Sequence, residues 1–314
     1  MTAKILNVDD HSIAEAAKLL QAGDLVGFPT ETVYGLGADA TSDRAVARIY
    51  EAKGRPSFNP LIVHFPDGDV AKQEVHWNKW ADKLAAKFWP GALTLILPRG
   101  ANCNLSLLVS AGLETVAVRV PAHDVAHKLI VQAGCPVAAP SANASGKISP
   151  TSAAHVKSGL GDKISCILDG GTCSIGLEST VVDLSGDSPA LLRPGGITRK
   201  EIEAVIGPIK IGDDNDTPKS PGMLSRHYAP EAPIRLNAKQ FSDGEIILGF
   251  GPTAPAEATN LSISGDLVEA AANLFSMLHD LDQPGATSIA VMPIPEAGLG
   301  FAINDRLRRA AWRE

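Results

Sequence analysis

The sequence is poor in the features that tie a protein to a metal, a membrane or an oxidising compartment. Its four cysteines, Cys103, Cys135, Cys166 and Cys173, form no CxxC pair and have no histidine-rich companion segment. That argues against a zinc site, and scattered thiols suit a reducing compartment. No uninterrupted apolar stretch approaches the roughly 20 residues needed to span a bilayer. Met1-Thr2-Ala3-Lys4 leads straight into an expected strand without an apolar leader. Net positive charge is also missing: the formal charge is −7, which argues against unspecific nucleic-acid binding by the whole surface. No HExxH, paired catalytic cysteine or Ser-His-Asp nucleophile elbow is present. The expectation is a soluble, cytoplasmic protein with no membrane contact.

What is present is a chain of 314 residues, 45% apolar, with 22 prolines and 29 glycines, as in a loop-rich globular protein of one or two domains. Strand-like and helix-like stretches alternate. Strands are expected near residues 5–8, 25–28, 61–65, 93–97, 116–120, 137–139, 167–168, 180–184 and 190–192. Helices are expected after Ser12, with Ile13, Ala16, Ala17 and Leu20 inward, and after Ser42, with Val46, Ile49 and Tyr50 inward. Others fall near 79–88, 124–132 and 151–158, and from Thr198 to Ile206. Residues 1–207 read as one α/β domain. Residues 208–232, rich in Asp, Pro, Ser and Gly, read as a linker. The linker carries an island, Ser220-Pro221-Gly222-Met223 and Arg226-His227-Tyr228-Ala229-Pro230, that a plain tether does not need. Residues 233–314 read as a small α/β domain with strands near 245–250 and 288–292 and helices near 266–281 and 304–312.

Two segments carry the strongest chemical signal. Pro29-Thr30-Glu31-Thr32-Val33-Tyr34-Gly35-Leu36-Gly37 reads as a glycine-bearing turn lined with hydroxyls. Lys53-Gly54-Arg55-Pro56, running into Asn59-Pro60-Leu61, sets two cations on a stiff turn. Fixed positive charge in an acidic protein suits a polyanion such as a phosphate chain; a solvated helix C-terminus is the plainer reading. Arg119 lies in an apolar strand, where a guanidinium is costly unless it meets an anion, either a ligand or an internal Asp or Glu. His64 is either a half-buried satisfied histidine or a ligand donor. Pro140-Ser141-Ala142-Asn143 follows a buried-looking strand, where small polar side chains suit either a ligand or an ordinary turn. Glu178-Ser179-Thr180 and Arg193 stand at strand ends. Gly35-Leu36-Gly37-Ala38-Asp39-Ala40 and Gly249-Phe250-Gly251-Pro252-Thr253-Ala254 have G-x-G-x-x-A spacing, but neither places a helix opening within the motif, so both read as turn glycines. Ser141 to Ile148 lacks the first glycine and the final hydroxyl of a P-loop.

Taken in order, PTETVYGLG, KGRPSFNPL, AVRVP, PSANASG, ESTVVD and LLRPGG resemble the YrdC-like family of threonylcarbamoyl-AMP synthases. The SPGM…HYAP linker and small C-terminal unit resemble its longer, two-domain form. The resemblance covers essentially the whole chain. It implies a YrdC-like twisted open sheet with flanking helices, followed by a small Rossmann-like α/β domain. It also implies a nucleotidyltransferase that converts L-threonine, bicarbonate and ATP to threonylcarbamoyl-adenylate and pyrophosphate. Downstream transferase machinery would then modify an adenosine beside the tRNA anticodon, and a contact with tRNA itself is among the expectations. By the resemblance, Lys53 and Arg55 hold the triphosphate. Arg119 clamps the threonine carboxylate, Thr32, His64 and Ser179 bind the rest of threonine, and the backbone near Ala139 closes the site. Asn59, Thr115, Ser141, Ser149 and Arg193 bind ATP, with Asn143 in support, and Tyr228 reaches in from a lid-like linker. Mg2+ rides on the ATP phosphates, with no protein ligand assigned. The alternatives are an RNA-binding module with a basic concave surface and no catalysis, or an adenylation like that of hydrogenase-maturation proteins, whose larger chains carry accessory regions absent here.

Overall fold

The computed structural model describes residues 2–212, 227–282, 285 and 287–312. The expected Ser220–Met223 island and Arg226 lie outside the described residues. The first domain is built on eleven strands: β1 (Lys4–Asn7), β2 (Val26–Phe28), β3 (Gly35–Asp39), β4 (Ile62–His64), β5 (Leu93–Pro98), β6 (Thr115–Arg119), β7 (Val137–Ala138), β8 (Cys166–Asp169), β9 (Thr180–Asp183), β10 (Ala190–Arg193) and β11 (Lys210–Ile211). They form one mixed sheet in the order β1-β8-β2-β3-β7-β4-β6-β5-β9-β10-β11. The expected α/β architecture holds.

Around the sheet lie α1 (Asp10–Gln21), α2 (Asp43–Lys53), α3 (Gly68–Glu74), α4 (Lys79–Phe88), α5 (Asp124–Ala133), α6 (Ala153–Leu160) and α7 (Arg199–Ile206). The inward face of α1 is the expected one, with Ile13, Ala16, Ala17 and Leu20 buried. Its cap is Asp9, not Ser12: the Asp9 carboxylate accepts from the Ser12 amide, one turn earlier than expected. Ser42 caps α2 as expected, and Gly54 ends it in the left-handed region at φ 59°, where a side chain is disfavoured. Thr198 and Glu201 close a reciprocal capping box on α7.

Three features depart from expectation. Residues 35–39 form strand β3, antiparallel to β2, instead of a turn. The glycines there serve packing: a Cβ on Gly37 would stand 2.9 Å from the Phe28 ring and 3.1 Å from Val137. A helix, α3, occupies a stretch to which the sequence reading assigns no element. And β11, inside the stretch expected to be linker, adds a parallel edge strand beside β10.

The C-terminal unit holds a second sheet of four parallel strands, β12 (Ile234–Arg235), β13 (Glu245–Gly249), β14 (Thr259–Asn260) and β15 (Ser288–Val291), in the order β12-β15-β13-β14. Two helices, α8 (Leu267–Leu281) and α9 (Gly300–Ala311), accompany it. Parallel strands joined through helices bury both faces, as in Rossmann-like units. The two units share a core. Val33, Ile148 and Leu177 of the first pack in one apolar cluster with Leu274, Phe275, Ile303 and Leu307 of the second. Contact is backbone-close at Gly176 (φ 70°), where a Cβ would lie 2.4 Å from the Ala272 carbonyl oxygen and 2.6 Å from that of Ala271 in α8.

Candidate active site

The site gathers on the central strands. β4 and β6 run parallel with His64 opposite Arg119. The loop from β2 to β3 brings Thr30, Glu31 and Thr32, and Ser141 bridges to Gly35. The entry to β9 brings Glu178 and Ser179, and the end of β10 brings Arg193. Around these residues lies a cavity with about 40 Å3 of free space. That is room for water and far too little for an amino acid or a nucleotide, so the described conformation is nearly filled.

Several of the residues assigned by resemblance line this cavity together: Arg55, Thr32, His64, Arg119, Ala139, Ser141, Ser179 and Arg193. Arg55, buried, donates from Nε to the Asn59 carbonyl at 2.9 Å and from Nη2 to the Pro60 carbonyl at 2.8 Å. Burial pulls its guanidinium down to about 10, so it stays cationic at neutral pH. Arg193 donates to the carbonyl oxygen of Ser179 at 2.9 Å and to its Oγ at 3.1 Å. Ser179 Oγ also meets Thr94 Oγ1 at 2.8 Å. Thr32 Oγ1 lies 2.8 Å from Thr30 Oγ1. His64 is buried in β4 with Nδ1 unpartnered among the described residues. Burial, then the nearby Arg119 charge, lowers its pKa to about 3. A neutral ring with an open nitrogen can hydrogen-bond a ligand, but it is a weak base at pH 7.

Arg119 meets an anion inside the protein. Its Nη2 donates to Glu31 Oε1 at 2.6 Å, and its Nε donates to the Gly91 carbonyl at 3.2 Å. It still borders the cavity.

The other assigned residues stand behind the lining or outside it. Lys53, at the end of α2, is buried and donates to the carbonyls of Ser141 at 2.6 Å and Asn143 at 2.5 Å. Burial, then Arg55, drives its pKa well below the usual lysine value. Asn143 ties its amide nitrogen to the carbonyls of Ala144 and Lys147. Asn59 is buried with both side-chain polar atoms unpartnered among the described residues. Buried amides normally find partners, and a bound ligand or a water would satisfy this one. Ser149 Oγ donates to Glu178 Oε1 at 2.6 Å. Thr115 begins β6 opposite Pro98, half-buried and apart from the cavity. Tyr228 is fully buried, stacked on Phe275 with ring centres 5.3 Å apart. Its neighbour His227 lines the cavity instead.

Glu31, Glu178, His227 and Arg306 were not singled out from sequence. Glu178 also borders the cavity and accepts from Arg306 Nε at 2.9 Å. A pattern signal existed for two of them: His227 lies in the island that a plain tether does not need, and Arg306 stands among Ile303, Leu307 and Ala310 on the apolar stripe of α9, where a charged residue needs a partner. Lys53, Arg55, Arg119, Arg193 and Arg306 are all buried here, with Glu31 on Arg119 and with Glu178 and Asp305 on Arg306. Buried positive charge beside a cavity suits an anionic ligand. Glu31 and Glu178 are each spent on an arginine, and no group of three His, Cys, Asp or Glu side chains among the described residues is arranged to hold a metal ion.

Comparison with known proteins places the chain in a family. The Sua5/YciO/YrdC family model, described as telomere recombination, matches residues 18–195. A second, the threonylcarbamoyl-AMP synthase C-terminal domain, matches residues 197–312. A threonylcarbamoyl-AMP synthase of Bacillus subtilis is 45% identical, covering 98% of this chain and 94% of its own. That of Pyrococcus abyssi is also 45% identical, over 97% and 95%. The crystal structure of P. abyssi Sua5 complexed with L-threonine superposes with a TM-score of 0.90 at 44% identity, covering 98% of this chain and 97% of that one. With both domains matched in order and along nearly the whole length, the chain belongs to the threonylcarbamoyl-AMP synthase family, in its two-domain form.

Proposed function

We propose that the chain is an L-threonylcarbamoyladenylate synthase, a nucleotidyltransferase acting on L-threonine, bicarbonate or carbon dioxide, and ATP. The observation that carries the reading is the set of buried cations around a cavity that also presents hydroxyls and a neutral histidine. The threonine amine adds to carbon dioxide with loss of a proton to solvent, or to bicarbonate with loss of water, and gives a carbamate. The carbamate oxygen attacks the α-phosphorus of ATP in line, and pyrophosphate leaves. Neither step needs a protein nucleophile; both need placement and fixed positive charge.

Arg55 and Arg193 are suited to the phosphates and the charge growing on pyrophosphate. Asn59, with its free amide, and Ser141 are suited to the rest of the nucleotide. Lys53 acts from behind by fixing the carbonyls of Ser141 and Asn143, and with them the PSAN loop. Arg119 remains the candidate for the threonine carboxylate, with Glu31 holding its plane. His64, Thr32 and Ser179 offer partners for the threonine hydroxyl and amine. Mg2+ would arrive on the ATP phosphates. The donor set fits that route, since its cations suit an anionic complex and its carboxylates are already paired. When bound, the ion would neutralise phosphate charge.

Among the described residues no helix is long and apolar enough to cross a membrane. Transfer of the product to tRNA by a partner enzyme system, in the cytoplasm, is the natural sequel. The RNA-binding alternative loses ground because the cations are buried around a small cavity instead of being spread on a surface. The test is product analysis. Purified protein, ATP, Mg2+ and labelled bicarbonate are mixed with threonine, serine or alanine, and pyrophosphate is followed in parallel. A labelled threonylcarbamoyl-adenylate that requires threonine is the expected result. Absence of any adenylate with all three amino acids would overturn the reading.

A further inference from the structure

Among the described residues Arg306 heads the fully buried side chains by size, and it sits in α9 of the C-terminal unit. Its partners come from the first domain, from α9 itself and from the segment between the two units. Nε donates to Glu178 at 2.9 Å, Nη1 donates to Asp305 at 2.7 Å, and the guanidinium carbon lies 5.3 Å from the Tyr228 ring centre. Nη2 is buried and unpartnered among the described residues. Glu178, held also by Ser149, borders the cavity. Tyr228 holds a left-handed backbone, φ 64°, which an aromatic residue rarely adopts unless its surroundings impose it. Phe275 of α8 and Arg306 of α9 supply those surroundings, and the Ala229 amide anchors to the Gly146 carbonyl.

A carboxylate beside a seat for a triphosphate is a liability. Unpaired, it would repel ATP through a poorly screened interior. Burial alone would push Glu178 towards its neutral form; Arg306, then Arg193, reverse this and hold it down at about 2. The carboxylate is therefore charged, and Arg306 is its direct ion partner.

We propose that Arg306 is a positioning residue for the adenylation site: by neutralising Glu178 and bracing Tyr228 it lets the C-terminal unit complete an ATP seat built by the first domain. The inference rests on the ATP-dependent reading above. It assigns the C-terminal unit a share in ATP affinity, beyond a role in folding.

The experiment compares pyrophosphate release by the full chain with Arg306→Met, Glu178→Gln and the double variant, at saturating threonine and bicarbonate. For Arg306→Met the KM for ATP is expected to rise at least about tenfold, as for a like charge left beside a bound anion, with kcat within about threefold. The double variant removes the stranded charge, so its KM is expected to return to within about threefold of wild type. A residue that only glued the domains together would show neither the split between KM and kcat nor the rescue. An unchanged KM in Arg306→Met, or no rescue in the double variant, overturns the proposal. Should Arg306→Met fail to fold, Arg306→Lys decides. It keeps the charge and is expected within about threefold of wild type, and a tenfold rise would count against the argument. Wild-type protein that forms no adenylate would instead overturn the synthase reading itself.

Discussion

Replacing Arg119 separates its two possible duties, that of internal ion partner and that of substrate clamp. Glu31 is only 7% exposed, and its second carboxylate oxygen has no partner among the described residues. Arg119→Ala therefore strands a buried carboxylate. Breaking such a pair from one side costs about 3–5 kcal/mol. For a chain of this size that corresponds to roughly 5–8 °C in Tm. Adding Glu31→Gln removes the stranded charge, so the double variant is expected to recover most of that stability. Threonine use is expected to behave differently. Loss of a buried guanidinium–carboxylate contact costs at least about 2 kcal/mol, or thirtyfold in the KM for threonine, while the KM for ATP stays within about threefold. The double variant should keep that defect. The assay is pyrophosphate release against threonine and against ATP, beside urea and thermal denaturation of each variant. A double variant that regains both stability and threonine affinity would refute the clamp and leave Arg119 as nothing more than the partner of Glu31.

Arg55→Ala is expected to lower kcat/KM for ATP by at least about a hundredfold while circular dichroism stays native, since the removed cation faces the cavity; near-wild-type turnover would remove Arg55 from the phosphate site. The stacked rings of His155 and His279, 4.0 Å apart across the domain seam, titrate below the usual histidine value, His279 at about 4, first because of burial. Their folded-state pKa values are lowered, so the neutral rings contribute stability in full above pH 6.5, and it is lost as the pH falls towards 4. His279→Gln is expected to flatten the loss of urea stability between those limits, by up to about 3 kcal/mol at pH 4, and an unchanged slope would count against the pair. Gly37→Ala is expected to destabilise by about 1–3 kcal/mol through contact with Phe28 and Val137, as equilibrium unfolding would report.

Periodic helices were plain in the sequence. The apolar stripes of α1, α2, α5 and α8 repeat at helical spacing, and the caps at Ser42 and Thr198 announce themselves by residue type. Strand β3 was hidden because its glycines carry the signature of a turn; their reason, the Phe28 ring lying across them, is a tertiary fact. Strands β11, β12 and β14 have two residues each, too few to show a period. The chemistry was legible where residue type and local stiffness coincide, as at Arg55, His64 and Ser141. It was not legible where a partner is distant in the chain: Glu31 and Arg119 are 88 residues apart, and Glu178 and Arg306 are 128 apart. In the HYAP segment the resemblance points to Tyr228 as the residue that reaches the ligand; in the structure His227 borders the cavity and Tyr228 packs on Phe275.

The bare backbone contact at Gly176 gives the two units a shared vulnerability. A seam padded with side chains can yield by a rotamer change, but here the chain of one domain rests on the carbonyls of α8, and nothing between them can give way. Any side chain at Gly176 faces both an unfavourable φ and a wedge against that helix. Displacing α8 also disturbs Phe275 beneath Tyr228 and, through the shared core, α9 with Arg306. A lesion at Gly176 is thus linked through the shared core to the proposed ATP seat. A screen for inactive but well-expressed variants should return Gly176 substitutions, and a fully active Gly176→Ser would show that the seam is softer than its geometry implies.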